Sequence, residues 1–128
     1  MERQTPKETY CIAWFKLAEC VSRKEKERAL GVYRLLSHSI GDEALATQLE
    51  GDILLSFDDA AAFAKYKQAA ELYQKHKRLP PAVGICEHIL TVHPQDKWAL
   101  HKLVDLYQEL GIAKKLKEVE KKLQNLEC

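Results

Sequence analysis

The stretch ELYQKHKRLPPAVGICEHILTVHPQDKWAL, Glu71 to Leu100, decides the fold. An apolar-periodic run ends in the cationic cluster Lys75-His76-Lys77-Arg78, Pro80-Pro81 open a second run, and His93-Pro94 close it before Asp96 offers an N-cap for a third. Proline suits the first turn of a helix, where its missing N–H has no intrahelical partner, and it stops a helix elsewhere. The stretch therefore predicts helices separated by links of only a few residues. So short a link folds each helix back on its predecessor and makes neighbours antiparallel.

Outward from this stretch the apolar residues keep helical spacing, and no period-2 run bounded by turn residues interrupts them. The pattern predicts an all-α chain of seven helices. The first covers residues 9–22, with Tyr10, Trp14, Leu17, Ala18 and Val21 on one face, and the second residues 26–39, with Ala29, Leu30, Tyr33 and Leu36. The third, residues 43–56, carries Leu45, Leu49, Ile53 and Leu54. Asp58 and Asp59 are candidate N-caps for a long fourth helix reaching Lys77, about 28 Å at 1.5 Å per residue. The fifth starts at Pro80 and ends at Val92, and the sixth runs from the Asp96 cap to Leu110, where Gly111 is a left-handed stop. The seventh covers residues 113–126. Residues 1–8 are expected to form a flexible arm, and residues 9–128 a single domain capped by the last helix.

Composition narrows the classes of function. Hydrophobic residues make up 46% and charged residues 30% of 128, enough apolar content to fold and too little for a disordered chain. A net charge of +1 leaves no long-range field to steer the chain toward nucleic acid or anionic lipid. No apolar run reaches the about 18–20 residues of a membrane span, and MERQTPKETY lacks the apolar core of a secretory signal, so a cytoplasmic location is expected. Cys11, Cys20, Cys86 and Cys128 have no C-x-x-C spacing, and His38, His76, His88, His93 and His101 form no ligand cluster, so neither a metal nor a cofactor is expected. The chain has no Gly-rich phosphate loop, no G-x-S-x-G and no H-E-x-x-H, and no enzymatic activity is expected.

From Tyr66 the spacing is Y-x2-A-A-x2-Y (Tyr66, Ala69, Ala70, Tyr73), followed by Ala82, Cys86, Ile89 and Pro94. This resembles the tetratricopeptide repeat, W-x2-L-G-x2-Y with a later A-x3-F-x2-A and a closing proline. Leu100, Leu103, Val104 and Tyr107, then Gly111, Leu116, Glu120 and Leu123, continue it one repeat later, strongly in the first helix and weakly in the second. Trp14, Leu17, Ala18 and Val21 with Ala29, Tyr33 and Leu36 form a third unit whose loop is one residue short. The segment EALATQLEGDILLSF leaves the phase of the middle open, because the fourth helix fits either role in a unit. The resemblance covers residues 10–126 and implies helical hairpins stacked in a tetratricopeptide-like right-handed superhelix. Each unit would be stable only when its neighbours cover its apolar face.

In that family the first helix of each unit lines a concave groove that receives a peptide or partner helix. Carried onto this chain, the groove-facing set is Phe15 and Glu19, then Lys67, Glu71 and Gln74, then Trp98, His101, Lys102 and Asp105, with Trp98 as candidate anchor. The implied function is a non-catalytic protein-interaction module, an adaptor or a chaperone-like scaffold. Many members grip a terminal carboxylate with paired Lys and Asn side chains, but the one asparagine here is Asn125, so another ligand mode is implied. Two alternatives stand beside it. One is nucleic-acid binding through the cations between Lys65 and Arg78, which equally suit the C-terminal end of a helix dipole. The other is self-association through Leu116, Val119 and Leu123 of the last helix, a stripe that equally suits capping of the final unit.

Overall fold

A computed structural model describes residues 6–127, with side chains described from residue 13. These residues form seven helices and no strand: α1 (Pro6–Ser22), α2 (Lys26–Ile40), α3 (Glu43–Ser56), α4 (Ala61–Lys75), α5 (Leu79–Val92), α6 (Lys97–Leu110) and α7 (Ala113–Glu127). The all-α class and the helix order expected from the sequence are observed. Of the expected N-terminal arm, residues 1–5 lie outside the described residues, and Pro6 to Lys7 and Glu8 open α1.

The links fold as their residues require. Asp42 and Asp96 accept from the backbone N–H groups of Leu45 (3.2 Å) and Ala99 (2.9 Å), satisfying donors that a helix start leaves without partners. Gly41 (φ 68°) and Gly111 (φ 73°) provide the left-handed turns after α2 and α6. Three other left-handed turns use Lys24 (φ 59°), Asp58 (φ 55°) and Lys77 (φ 60°). After each of them the next residue's N–H returns to a carbonyl in the last helical turn: Glu25 to Cys20, Asp59 to Leu54 and Arg78 to Tyr73.

These turns correct two expectations. Asp58 is no N-cap, because its left-handed backbone closes α3; Asp59 alone caps the next helix, accepting from the Ala61 N–H at 2.9 Å. The fourth helix stops at Lys75, two residues before Lys77, and its 15 residues span about 22 Å.

The chain separates into two compact units, Met1–Ala62 and Phe63–Cys128. In the first, α1 and α3 both pack on α2. Leu17, Cys20, Ala29, Tyr33, Leu36 and Ile53 are its buried centre, and the Tyr33 hydroxyl donates to the Ala46 carbonyl of α3. In the second, α6 lies against both α5 and α7. Tyr66, Ala69, Ala70, Tyr73, Ala82, Cys86, Ile89, Leu100, Leu103 and Tyr107 are all buried, so burial follows the spacing read from the sequence. Each large apolar side chain so buried contributes about 1.5–3 kcal/mol. The Tyr107 hydroxyl ties α6 to α5 by donating to Glu87 Oε1 at 2.7 Å.

Candidate functional site

Two surfaces contain the residues expected to face a ligand, one in each unit. In the first unit, α1 and α3 run in the same direction on α2 and leave a groove of about 360 Å³ between them. Trp14, Leu17, Ala18 and Val21 with Ser22 form one wall, and Leu49, Ile53 and Ser56 with Asp52 form the other. The spacing explains the walls. On α1, residues 14, 17 and 21 recur at three and four, as do residues 49, 53 and 56 on α3, so each helix turns one continuous stripe to the gap. Leu17 and Ile53 are buried at its floor, while Ala18 and Asp52 are exposed at its edges. Phe15 lies on the ridge of Ala18 and Ser22 and is 78% exposed.

Phe15, expected to face a groove, is outside the lining of this one, on the outer side of the Ala18 and Ser22 ridge. Glu19 is outside it too: it pairs with Arg23 at 2.8 Å and, with Lys16, Cys20, Glu25 and Arg28, lines a separate recess on the other side of α1.

In the second unit, α4 and α6 bring Lys67, Glu71, Gln74, Trp98 and Lys102 together. Lys102 is the centre, its side chain only 13% exposed. Its ammonium donates to Gln74 Oε1 at 2.8 Å and meets Glu71 Oε1 at 2.9 Å, the partners that a largely shielded cation requires. Gln74 in turn donates to Glu109 Oε1 at 3.2 Å. Lys67 pairs with Asp96 at 3.3 Å, and the ammoniums of Lys67 and Lys102 lie 5.4 and 5.6 Å from the centre of the Trp98 ring. Trp98 is half-buried in this fence of cations. Asp105 is exposed one turn further along α6, whereas His101 turns to α7, its Nε2 3.7 Å from Glu127 Oε1. The result is a surface whose charges mostly satisfy one another.

Two residues of the cationic cluster at the end of α4 are also engaged. Lys77 lies 3.9 Å from Glu109, and the Arg78 guanidinium sits 4.6 Å above the Tyr73 ring. Val119 and Leu123 of α7 are buried, and Leu116 is half-buried. Burial pushes the Cys86 thiol up to about 12, with Lys102 opposing and nearby acids adding to the shift, so at neutral pH it is a protonated, apolar filler and no nucleophile. Among the described residues, no group of three or more His, Cys, Asp or Glu is placed to hold a metal ion, and no helix is long and apolar enough to cross a membrane.

The sequence missed the α3 wall. Its apolar stripe was legible from Leu45, Leu49 and Ile53, but periodicity cannot tell a stripe that is covered from one left open. The chain matches no protein-family model, no curated protein and no solved structure.

Proposed function

We propose that this chain is a non-catalytic protein-interaction module, an adaptor or chaperone-like scaffold, that receives a segment of another protein on a tetratricopeptide-like array of helical hairpins. The observation that carries this reading is the apolar groove between α1 and α3, with Phe15 exposed at its edge. Burial of ten of the twelve positions in the Tyr66–Tyr107 spacing, all but the exposed Pro94 and the half-buried Val104, supports the repeat resemblance. Apolar walls with few polar groups favour a peptide side chain or helix face over a charged or nucleic-acid ligand.

The nucleic-acid alternative has less support. Lys67, Lys77, Arg78 and Lys102 each have an acidic or aromatic partner, and the cations beside Trp98 compete with any base that would stack there. Self-association through α7 would require Val119 and Leu123 to leave their buried positions.

The test is affinity capture from the native host's lysate, with nuclease present and in moderate salt, comparing wild type with Ala18→Arg. Ala18 is exposed on the groove wall, so arginine blocks the groove without entering the core, and circular dichroism checks the fold. A protein captured by wild type and lost by the variant is expected. Identical capture by both would overturn the reading.

A further inference from the structure

We infer that the end of the second unit where α4 and α6 stop and α5 and α7 start is a docking surface for an anionic lipid bilayer, entered by the tip of the α6–α7 link and held by the cations around it. It is separate from the groove of the first unit and does not depend on what that groove binds.

Four helix ends meet here. Gln74 donates to Glu109 Oε1 at 3.2 Å and Lys77 lies 3.9 Å from Glu109 Oε2, which joins the end of α4 to the end of α6. Arg78 leads directly into α5, and Gly111 and Ile112 lead into α7. The two segments so joined, residues 72–80 and 108–117, carry Lys75, Lys77, Arg78, Lys114, Lys115 and Lys117 against a single acid, Glu109. All six cations are exposed. Of the next acids along the chain, Glu87 accepts from the Tyr107 hydroxyl and Glu118 acts on the same hydroxyl. A chain with a net charge of +1 thus concentrates positive charge at one end of one unit.

Helix stability accounts for only part of this charge. The cations at the end of α4 complement its dipole, but Lys114 and Lys115 stand in the first turn of α7, where the dipole disfavours positive charge and no acid offsets it. An external anion supplies what the helix lacks.

The apolar residues among these cations select the kind of anion. Leu110 and Ile112, 37% and 38% exposed, flank Gly111, whose φ of 73° turns the chain between two helices. On such a turn they project from the end of the unit. A protein partner needs a matching hollow for a projecting tip, whereas a fluid bilayer closes round it, takes the aliphatic side chains at the acyl boundary and sets its anionic headgroups against the lysines. Nucleic acid is served less well. Tyr73 and Tyr107 are buried, with Arg78 at 4.6 Å and Lys115 at 5.9 Å from their ring centres, so neither ring can stack on a base. A short aliphatic tip and a group of lysines are each weak alone and together give reversible attachment without a spanning segment.

The experiment is co-flotation of the full chain with vesicles of phosphatidylcholine alone or with about 30% phosphatidylserine. Binding is expected to the anionic vesicles only and to fall as salt rises. Lys114→Glu should weaken it about tenfold or more, and Ile112→Ser about threefold, with circular dichroism unchanged. Glutamate in the first turn of α7 favours the helix, so the loss in Lys114→Glu is not unfolding. Lys97→Glu makes the same charge change at the exposed start of α6, the other end of that helix, and should leave binding unchanged. Failure to float with anionic vesicles, or equal weakening by Lys97→Glu and Lys114→Glu, would overturn the assignment. So would tighter binding of a labelled oligouridylate or of a polyglutamate peptide that Lys114→Glu abolishes and Ile112→Ser leaves intact, which would give the surface to nucleic acid or to an acidic protein segment.

Discussion

Lys102 shows how the second unit handles charge. With 13% of its side chain exposed it cannot rely on water, and Gln74 and Glu71 complete its hydrogen bonding, whereas Glu71 is 54% exposed and hydrates without help. The two halves of the contact are therefore unequal. Gln74→Ala, which leaves a largely shielded cation short of an acceptor, is expected to cost about 1–2 kcal/mol in urea unfolding. Lys102→Met keeps the stem and frees groups that water can reach, and should cost less than Gln74→Ala. A larger loss for Lys102→Met would show that the ion pair itself stabilises the fold. Asp59 gives a matching prediction in pH. The Lys26 ammonium and the Ala61 N–H hold its carboxyl below the usual carboxylate range. A depressed folded pKa contributes stability above the unfolded value, about 3.9, and that stability is lost as pH falls through the folded value. The Tm difference between wild type and Asp59→Asn should be present at pH 7 and close as the solution is acidified. A difference independent of pH would mean that the carboxylate charge is irrelevant.

At the scale of the helices, the turns hold recoverable strain. Lys24 takes a left-handed φ of 59° that costs an L-residue about 1–2 kcal/mol, whereas Gly111 makes the same kind of turn without that cost. Lys24→Gly is expected to raise stability by about 0.5–1 kcal/mol after the added freedom of glycine in the unfolded chain is subtracted. Gly84 presents the opposite case. It lies inside α5, and a Cβ built there meets nothing within 4 Å. Gly84→Ala should stabilise by about 0.5–1 kcal/mol, read from the urea midpoint. A loss in either variant would show that the turn or helix is held by something other than its local backbone preference. The same turns mark how far the sequence was legible. Pro80, Pro94, Gly41 and Gly111 announced their boundaries because their backbone chemistry admits few alternatives. Lys24, Asp58 and Lys77 did not, since nothing in a lysine or aspartate requires positive φ, and for that reason the fourth helix was expected to be longer than it is. The repeat resemblance grouped Lys67, Glu71, Gln74, Trp98 and Lys102 as groove residues, and the structure brings these five side chains together between α4 and α6. Glu19 and His101 have their partners elsewhere, because a side chain's choice among neighbours depends on distances that spacing alone does not contain.

For the whole molecule, two surfaces with different chemistry follow. The Trp98 surface is internally paired, and the α1–α3 groove is apolar and open, so the account assigns binding to the groove. Phe15 and Leu35 make a direct comparison available: both are 78% exposed, but only Phe15 lies on the ridge of Ala18 and Ser22 that borders the groove. The deciding measurement is photo-crosslinking in the native host, with benzoylphenylalanine placed at position 15 in one protein and at position 35 in another. The account predicts a discrete partner adduct from position 15, absent from position 35 and lost when Ala18→Arg is added. Equal adducts from both positions, or an adduct from position 15 that survives Ala18→Arg, would contradict it.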